Sequence, residues 1–346
     1  MKALSQDPTD QVMHLQDFMF KFLPAALPAQ SENAQQWGIY PPFYLNKNET
    51  VSGIEGVDID FEPYSNDWSQ MAPDEIEAYM NYLTNIANNG RVGKLSVTIS
   101  GNPNAVTALG SENIKTLFNI AETVNLMTYD YHGAFDSPGK TNFHSPLFCN
   151  PNLDKQDTFN TNSAVDVWAK QGVDLKKLLI GAVAYGREVS NVEGATDINN
   201  CLFANFNDQS GKAPLYNNIG LDNTGVGNSI KQRVDSGELV EKFDINSGST
   251  YACSKDFKTF VSYDTLDSVT LKACYVLHKG LGGIALWDLG SDKDNLLIQR
   301  IIDVKANSTQ YCTGDFSYDN IDHLMTQCGT GLAGRDKSTT LDHEEL

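Results

Sequence analysis

The chain has no uninterrupted apolar run of about 18 residues, so its sequence offers no helix that could cross a membrane. It has no C-x-x-C pair. No histidine stands at metal-ligand spacing from any of its six cysteines, Cys149, Cys201, Cys253, Cys274, Cys312 and Cys328, which argues against a structural zinc site. Positive charge is short. Lys and Arg number 25 against 44 Asp and Glu, a net charge of −19 that repels nucleic-acid phosphates and anionic lipid headgroups. Neither nucleic acid nor a membrane is therefore an expected partner. A neutral or cationic ligand suits such a surface, although the same charge also serves solubility alone.

What is there is the material of a globular protein: 40% hydrophobic residues in 346, enough for one large domain or two ordinary ones. An even count of cysteines late in an acidic chain fits disulfides in an oxidising compartment, with Cys312 and Cys328 or Cys201 and Cys253 as couples. Buried free thiols in a cytosolic protein are the alternative. The triplets Asn48-Glu49-Thr50 and Asn307-Ser308-Thr309 have the pattern of glycosylation acceptors and lean toward a secreted or extracellular protein. Phe18 to Ala29 has the length of a signal-peptide core, but Asp7, Asp10 and Asp17 precede it, so it reads as ordinary sequence. The terminal His343-Glu344-Glu345-Leu346 resembles an ER-retention tetrapeptide and is read as coincidence.

From residue 54, short apolar runs alternate with helical patterns, the signature of β/α units around a parallel sheet. The expected strands are Val57 to Phe61, Leu95 to Ser100, Val124 to Tyr129, Leu178 to Ala184 and Gly283 to Trp287. Each is apolar until its C-terminal end, as a strand buried on both faces should be. Helices are expected at Pro73 to Asn88, Glu112 to Ala121, Ser163 to Gln171, Asp267 to His278 and Asp292 to Val304. The fold class is α/β, a (β/α)8 TIM barrel whose active site lies at the C-terminal ends of its strands.

Between Arg187 and Val261 the rhythm breaks for about 70 residues, too long for a plain loop, and a small α+β insertion before the last strand is expected. The organisation is then an atypical N-terminal segment (1–53), the barrel (54–187 and 261–304), the insertion (188–260) and a C-terminal tail (305–346), disordered from Thr330. Five strands from residue 54 require three more β/α units before it. A crossover takes about 30 residues. Gln36 to Tyr40 and Phe18 to Leu23 supply strand-like pieces but not three units, so the barrel is expected to be incomplete at its N-terminus and completed by another chain or a longer parent protein.

In Glu55-Gly56-Val57-Asp58-Ile59-Asp60-Phe61-Glu62 carboxylates recur at every second position. Strand side chains alternate faces, so Asp58, Asp60 and Glu62 share one, about 7 Å apart at successive Cα atoms. In a buried row they cannot all be ionised cheaply: one pKa rises and a proton is shared. A carboxylic acid that keeps its proton near neutral pH is what glycosidic cleavage needs. The competing structural readings are an exposed edge strand of solvated acids and a calcium loop, which favours Gly and Asn rather than Val, Ile and Phe between its acids.

The row resembles the D-x-x-D-x-D-x-E signature of glycoside hydrolase family 18, the chitinases and their relatives, with Glu55 where the first Asp is usual and Phe61 for a frequent Trp. Met127-Thr128-Tyr129-Asp130, Tyr185-Gly186-Arg187, and Ser262-Tyr263-Asp264 followed by Leu281-Gly282-Gly283 and Trp287 match further motifs in order, over residues 54 to about 304. No S-x-G-G segment precedes Glu55. The resemblance implies a retaining, substrate-assisted reaction without cofactor or metal, in which the acetamido group of N-acetylglucosamine forms an oxazolinium ion. It implies Glu62 as general acid and base, Asp60 orienting the acetamido N–H, Asp58 sharing its proton, and Tyr129 hydrogen-bonding the acetamido carbonyl. Met127 and Asp130 would line the pocket, Tyr185 and Arg187 contact sugar, and Trp287 lie under the distorted ring. The insertion would form one wall of a deep cleft. The implied substrate is chitin or a chito-oligosaccharide. An endo-β-N-acetylglucosaminidase or a non-catalytic chitin-binding lectin are the alternatives; crystalline chitin favours exposed Trp rows, and the chain has four Trp.

Overall fold

The computed structural model of the chain describes residues 56–88, 94–102, 104–151, 159–217 and 228–328. The expected pieces at Phe18 to Leu23 and Gln36 to Tyr40, Glu55, the triplet at Asn48 and the tail from Thr330 lie outside them. The described residues fall into two compact units, one of 56–100 and 104–124, the other of 101–102 and 125–328.

In the first unit, β1 (Gly56–Asp60) pairs in parallel with β2 (Lys94–Ser100), Asp58 opposite Ser96 and Asp60 opposite Thr98. The helix between them, α1 (Pro73–Asn88), covers the expected residues. Pro73 opens it, where a missing N–H is harmless, and Glu75 Oε2 accepts from Ala72 N at 2.8 Å. Its buried stripe of Ile76, Tyr79, Met80, Leu83 and Ile86 follows the helical period. Burial of each such side chain stabilises by about 1.5–3 kcal/mol. Leu83→Ala, at a fully buried position, would cost about 2–5 kcal/mol. The next helix, α2 (Asn104–Ile120), starts well before the expected Glu112, because Gly110 at φ 72° breaks it into two pieces and only the second carries the expected pattern. The first two residues of β3 (Thr123–Met127) also belong to this unit, and Ser96 and Thr123 share a hydroxyl hydrogen bond of 2.8 Å.

The second unit holds the rest of β3, α3 (Thr161–Ala169), β4 (Leu178–Val183) and β5 (Gly186–Val189). Then come α4 (Ile230–Asp235), β6 (Leu239–Asp244), β7 (Ser249–Ser254) and β8 (Phe260–Tyr263). It continues with α5 (Leu266–Lys279), β9 (Gly283–Trp287) and α6 (Leu296–Ala306). Strand β4 lies between β3 and β9, and its pairing with β9 is parallel, with Val183 opposite Trp287. Leu178, Ile180 and Ala182 to Ala184 are fully buried, the behaviour of a strand covered on both faces.

The insertion forms the antiparallel sheet β5-β8-β7-β6. Its limits differ from those expected. Arg187 pairs with Ser262 and Gly186 with Tyr263, so both segments assigned to the barrel edge belong to this sheet, and β8 is antiparallel to both its neighbours, which no barrel strand is. Phe143, Val189, Phe206, Tyr251 and Phe260 make its core around the Cys201–Cys253 disulfide.

The other expected couple is corrected: Cys312 bonds to Cys274 of α5, and Cys328 to Cys149. These two bonds hold residues that the sequence assigns to a tail. Through residue 328 the segment is folded, with α7 (Ser308–Tyr311) and α8 (Tyr318–Thr326); His278 of α5 stacks on Tyr318 at 4.8 Å and contacts Asp322 at 2.8 Å.

Candidate active site

Two groups of side chains carry the candidate chemistry, one in each unit. In the first unit, Asp58 and Asp60 stand on β1 and Glu62 follows it, just before the short turn Pro63–Asn66. Phe61 packs on Tyr79 of α1 with centroids 4.9 Å apart, and edge-on to Trp68 at 6.0 Å, so the intervening apolar side chain anchors the end of the acidic segment. Asp58 Oδ2 accepts from Thr98 Oγ1 at 2.7 Å, a bond that the β1–β2 register makes possible.

The acids are not the buried row expected: Asp58, Asp60 and Glu62 are exposed, and among the described residues β1 pairs with β2 alone. One of the three pKa values nonetheless rises, as expected. Asp60 is pushed up to about 6, first by partial burial at the strand end and then by Glu62 and Asp58 on either side. The same carboxylates act on Tyr79, whose hydroxyl is fully buried with no hydrogen-bond partner among the described residues and whose pKa is raised, chiefly by burial and then by Asp58 and Asp60.

The second group sits at the ends of β3 and β4 and on β5. Met127 closes β3 and is buried; Asp130, just beyond, has φ 57°, in the left-handed region that a non-glycine residue seldom adopts. That turn aims its carboxylate at three partners. Arg187 donates through Nε to Oδ1 at 2.6 Å and through Nη2 to Oδ2 at 2.7 Å, and the Tyr185 hydroxyl donates to Oδ1 at 2.7 Å. The bidentate fork suits a guanidinium as no lysine would. His144 is fully buried with Nδ1 3.5 Å from Oδ1, longer than a good hydrogen bond, and its ring lies 5.3 Å from that of Tyr185.

Burial alone would raise the pKa of Asp130, but His144 and Arg187 outweigh it and hold the carboxyl well below the usual carboxylate range. Burial pushes the His144 imidazole down, against the pull of Asp130, and pushes the Tyr185 phenol well up. Tyr129 meets Tyr185 edge to face at 6.4 Å. Gly181 of β4 leaves room for it: a Cβ there would lie 2.7 Å from two atoms of the Tyr129 ring. Trp287 ends β9 with 54% of its surface exposed, its carbonyl accepting from Ala184 N at 2.8 Å, and a cis peptide joins it to Asp288.

The second unit thus brings together Tyr129, Asp130, Tyr185 and Arg187, all singled out in the sequence. His144 was not. A lone histidine between Phe143 and Ser145 gives no periodic or spacing signal, and only the fold carries it to Asp130. Among the described residues no cluster of three or more His, Cys, Asp or Glu side chains could hold a metal ion, and no helix is long and apolar enough to cross a membrane.

The family model described as glycosyl hydrolases family 18 matches residues 43–292. A chitinase of Autographa californica nuclear polyhedrosis virus is 28% identical over 291 residues, covering 75% of this chain and 50% of its own. The chain spans about half the length of that relative. Among solved structures, a class V chitinase from Nicotiana tobaccum in complex with NAG4 aligns with a TM-score of 0.54 and 22% identity over 72% of this chain and 68% of its own. Chitinase ChiW from Paenibacillus sp. str. FPU-7 aligns with a TM-score of 0.61 and 22% identity over 87% of this chain and 31% of its own. The fold class is theirs, a (β/α)8 barrel.

Proposed function

Since the chain belongs to glycosyl hydrolases family 18 and is similar to chitinases, we propose that it hydrolyses β-1,4 bonds between N-acetylglucosamine units of chitin or chito-oligosaccharides. The observation that carries this reading is Asp60, pushed up to about 6 between Asp58 and Glu62. A carboxyl that holds its proton up to about pH 6 beside Glu62 suits chemistry that moves protons, and in this family the substrate's acetamido group replaces the second carboxylate as nucleophile.

Glu62 donates the proton to the glycosidic oxygen and then, as its conjugate base, activates the water that opens the oxazolinium ion. Asp60 accepts from the acetamido N–H and stabilises the positive charge that develops on the ring. Asp58 takes the shared proton, with Thr98 fixing its orientation. Tyr129 hydrogen-bonds the acetamido carbonyl, Met127 and Asp130 line its pocket, Tyr185 and Arg187 contact sugar hydroxyls, and the exposed indole of Trp287 offers an apolar face to a pyranose ring. No step uses a metal or cofactor. The three disulfides support work in an oxidising compartment.

Reducing-end release from a chito-oligosaccharide, compared between wild type and Glu62→Gln, tests the reading. Loss of turnover with binding retained is the expected result. Equal turnover in both overturns the assignment of the acid, and tight binding by the wild type with no cleavage over hours indicates a lectin instead.

A further inference from the structure

Below the Tyr129–Asp130–Tyr185–Arg187 group lies a charge pair that no step of the proposed reaction uses. Lys272 of α5 and Asp264, just past β8, have no exposed surface, and Nζ lies 2.7 Å from Oδ2. Burial pushes the Lys272 ammonium down and Asp264 opposes it. A buried ion pair adds little stability over a well-packed apolar pair of the same volume, because both charges must leave water. What the pair touches points to its use.

Lys272 Nζ donates to Ser145 Oγ at 2.8 Å, and that hydroxyl donates at 2.8 Å to the carbonyl of Thr128, the residue before Tyr129 and Asp130. Asp264 Oδ2 accepts from Val183 N at 3.0 Å, two residues before Tyr185 and four before Arg187. Asp264 Oδ1 is occupied by the Ser268 hydroxyl at 2.8 Å. Thr128 closes the circuit on the other side, its Oγ1 accepting from Gly181 N at 2.9 Å and donating to the Gly181 carbonyl at 3.2 Å. One ion pair therefore reaches the backbone of both strand ends whose side chains meet at Asp130.

We propose that Lys272 and Asp264 are positioning residues, which fix the ends of β3 and β4 relative to each other so that Asp130 and Arg187 stand in bidentate register and Tyr129 faces the substrate. They touch no substrate. The pair acts as a spacer of set length: a directional hydrogen bond at each end holds what apolar packing, free to slide, does not. The importance of this geometry for sugar turnover rests on the reading of the preceding subsection; the geometry itself does not.

The test is the double variant D264N/K272M, which removes both charges at similar volume, leaves no lone buried ion and keeps an acceptor for the Val183 N–H. Its melting temperature is expected within a few degrees of that of wild type. Where that protein fails to fold, D264N/K272L, which fills the lysine site with a side chain of the same volume and another shape, replaces it. The first readout is solvent exchange of the Arg187 Nε–H by NMR, which reports the Asp130 fork without any substrate. Faster exchange in the folded double variant is expected; exchange as slow as in wild type overturns the proposal. The second is chito-oligosaccharide kinetics, where displacement of the contact groups by about 1 Å would lower kcat/KM roughly 100-fold. A folded variant with wild-type kinetics also overturns the proposal. If the wild type itself neither cleaves nor binds chito-oligosaccharides, the functional reading fails, and the exchange measurement still decides the positioning role.

Discussion

Arg187 holds Asp130 by both carboxylate oxygens, Nε to Oδ1 at 2.6 Å and Nη2 to Oδ2 at 2.7 Å, with the Tyr185 hydroxyl as a third donor. Asp130→Asn keeps the volume but removes the charge, so the guanidinium loses its partner. Both side chains are about one-third exposed, and solvent screening limits the loss of stability at pH 7 to about 1–2 kcal/mol. The sign with pH follows from the depressed pKa: the contribution is present above the ordinary carboxylate value and disappears as pH falls through the folded one. Urea unfolding of wild type and Asp130→Asn should therefore differ at pH 7 and converge in strong acid. Equal midpoints at pH 7 would show that the fork contributes nothing.

Asp60 has the opposite sign. Its folded value of about 6 lies above the ordinary 3.8, so the folded protein binds this proton more tightly than the unfolded chain. Its contribution is full below pH 3.8 and is lost as pH rises through about 6. Asp60→Asn, which stays neutral, should thus gain on the wild type as pH rises from 3.8 to about 6 and keep that gain above it. In an NMR titration Glu62→Gln should pull the Asp60 pKa down, since Glu62 is the larger of its two charged neighbours' effects. An Asp60 that titrates near 4 in the folded wild type refutes the coupling and with it the main electrostatic support for the acid row.

Non-reducing peptide mapping should return Cys149–Cys328, Cys201–Cys253 and Cys274–Cys312. The first closes a separation of 179 residues and ties the end of α8 to the loop after β3. Replacing both its cysteines by serine is expected to cost about 2–5 kcal/mol in chemical denaturation. A map with Cys312 on Cys328 would contradict the fold of the C-terminal helices.

What could be read from the sequence was what local chemistry determines. Helix α1 shows its start in Pro73 and the acids that follow it, and β4 reads to within one residue because a continuous apolar run, Leu178 to Ala184, announces burial on both faces. The contacts that complete the candidate site are not local. Cys312 lies nearer to Cys328 in sequence than to Cys274, yet the packing of α7 beside α5 decides the bond. Arg187 reads as the end of a barrel strand because it follows β4 closely. Only its pairing with Ser262 reveals the antiparallel sheet. His144 reaches Asp130 through a loop whose course no periodicity encodes, and Lys272 looks like a surface residue of α5 until Asp264 and Ser145 are seen around it.

Gly181 gives a test of Tyr129 that leaves every polar group in place. A methyl there would meet Cδ1 and Cε1 of the Tyr129 ring at 2.7 Å and the Leu126 carbonyl at 3.0 Å, closer than real contacts allow, so the ring must move. The backbone is held on the same residue by Thr128, which leaves the side chain as the part that yields. Gly181→Ala should fold with a loss of about 1–3 kcal/mol from overpacking. If Tyr129 hydrogen-bonds the acetamido carbonyl, its displacement should lower kcat/KM by about 10–100-fold. Tyr129→Phe removes the same hydrogen bond by another route, so the double variant should be little worse than either single one. Losses that simply add would show that Gly181 acts through something other than Tyr129, and a fully active Gly181→Ala would remove Tyr129 from the reaction.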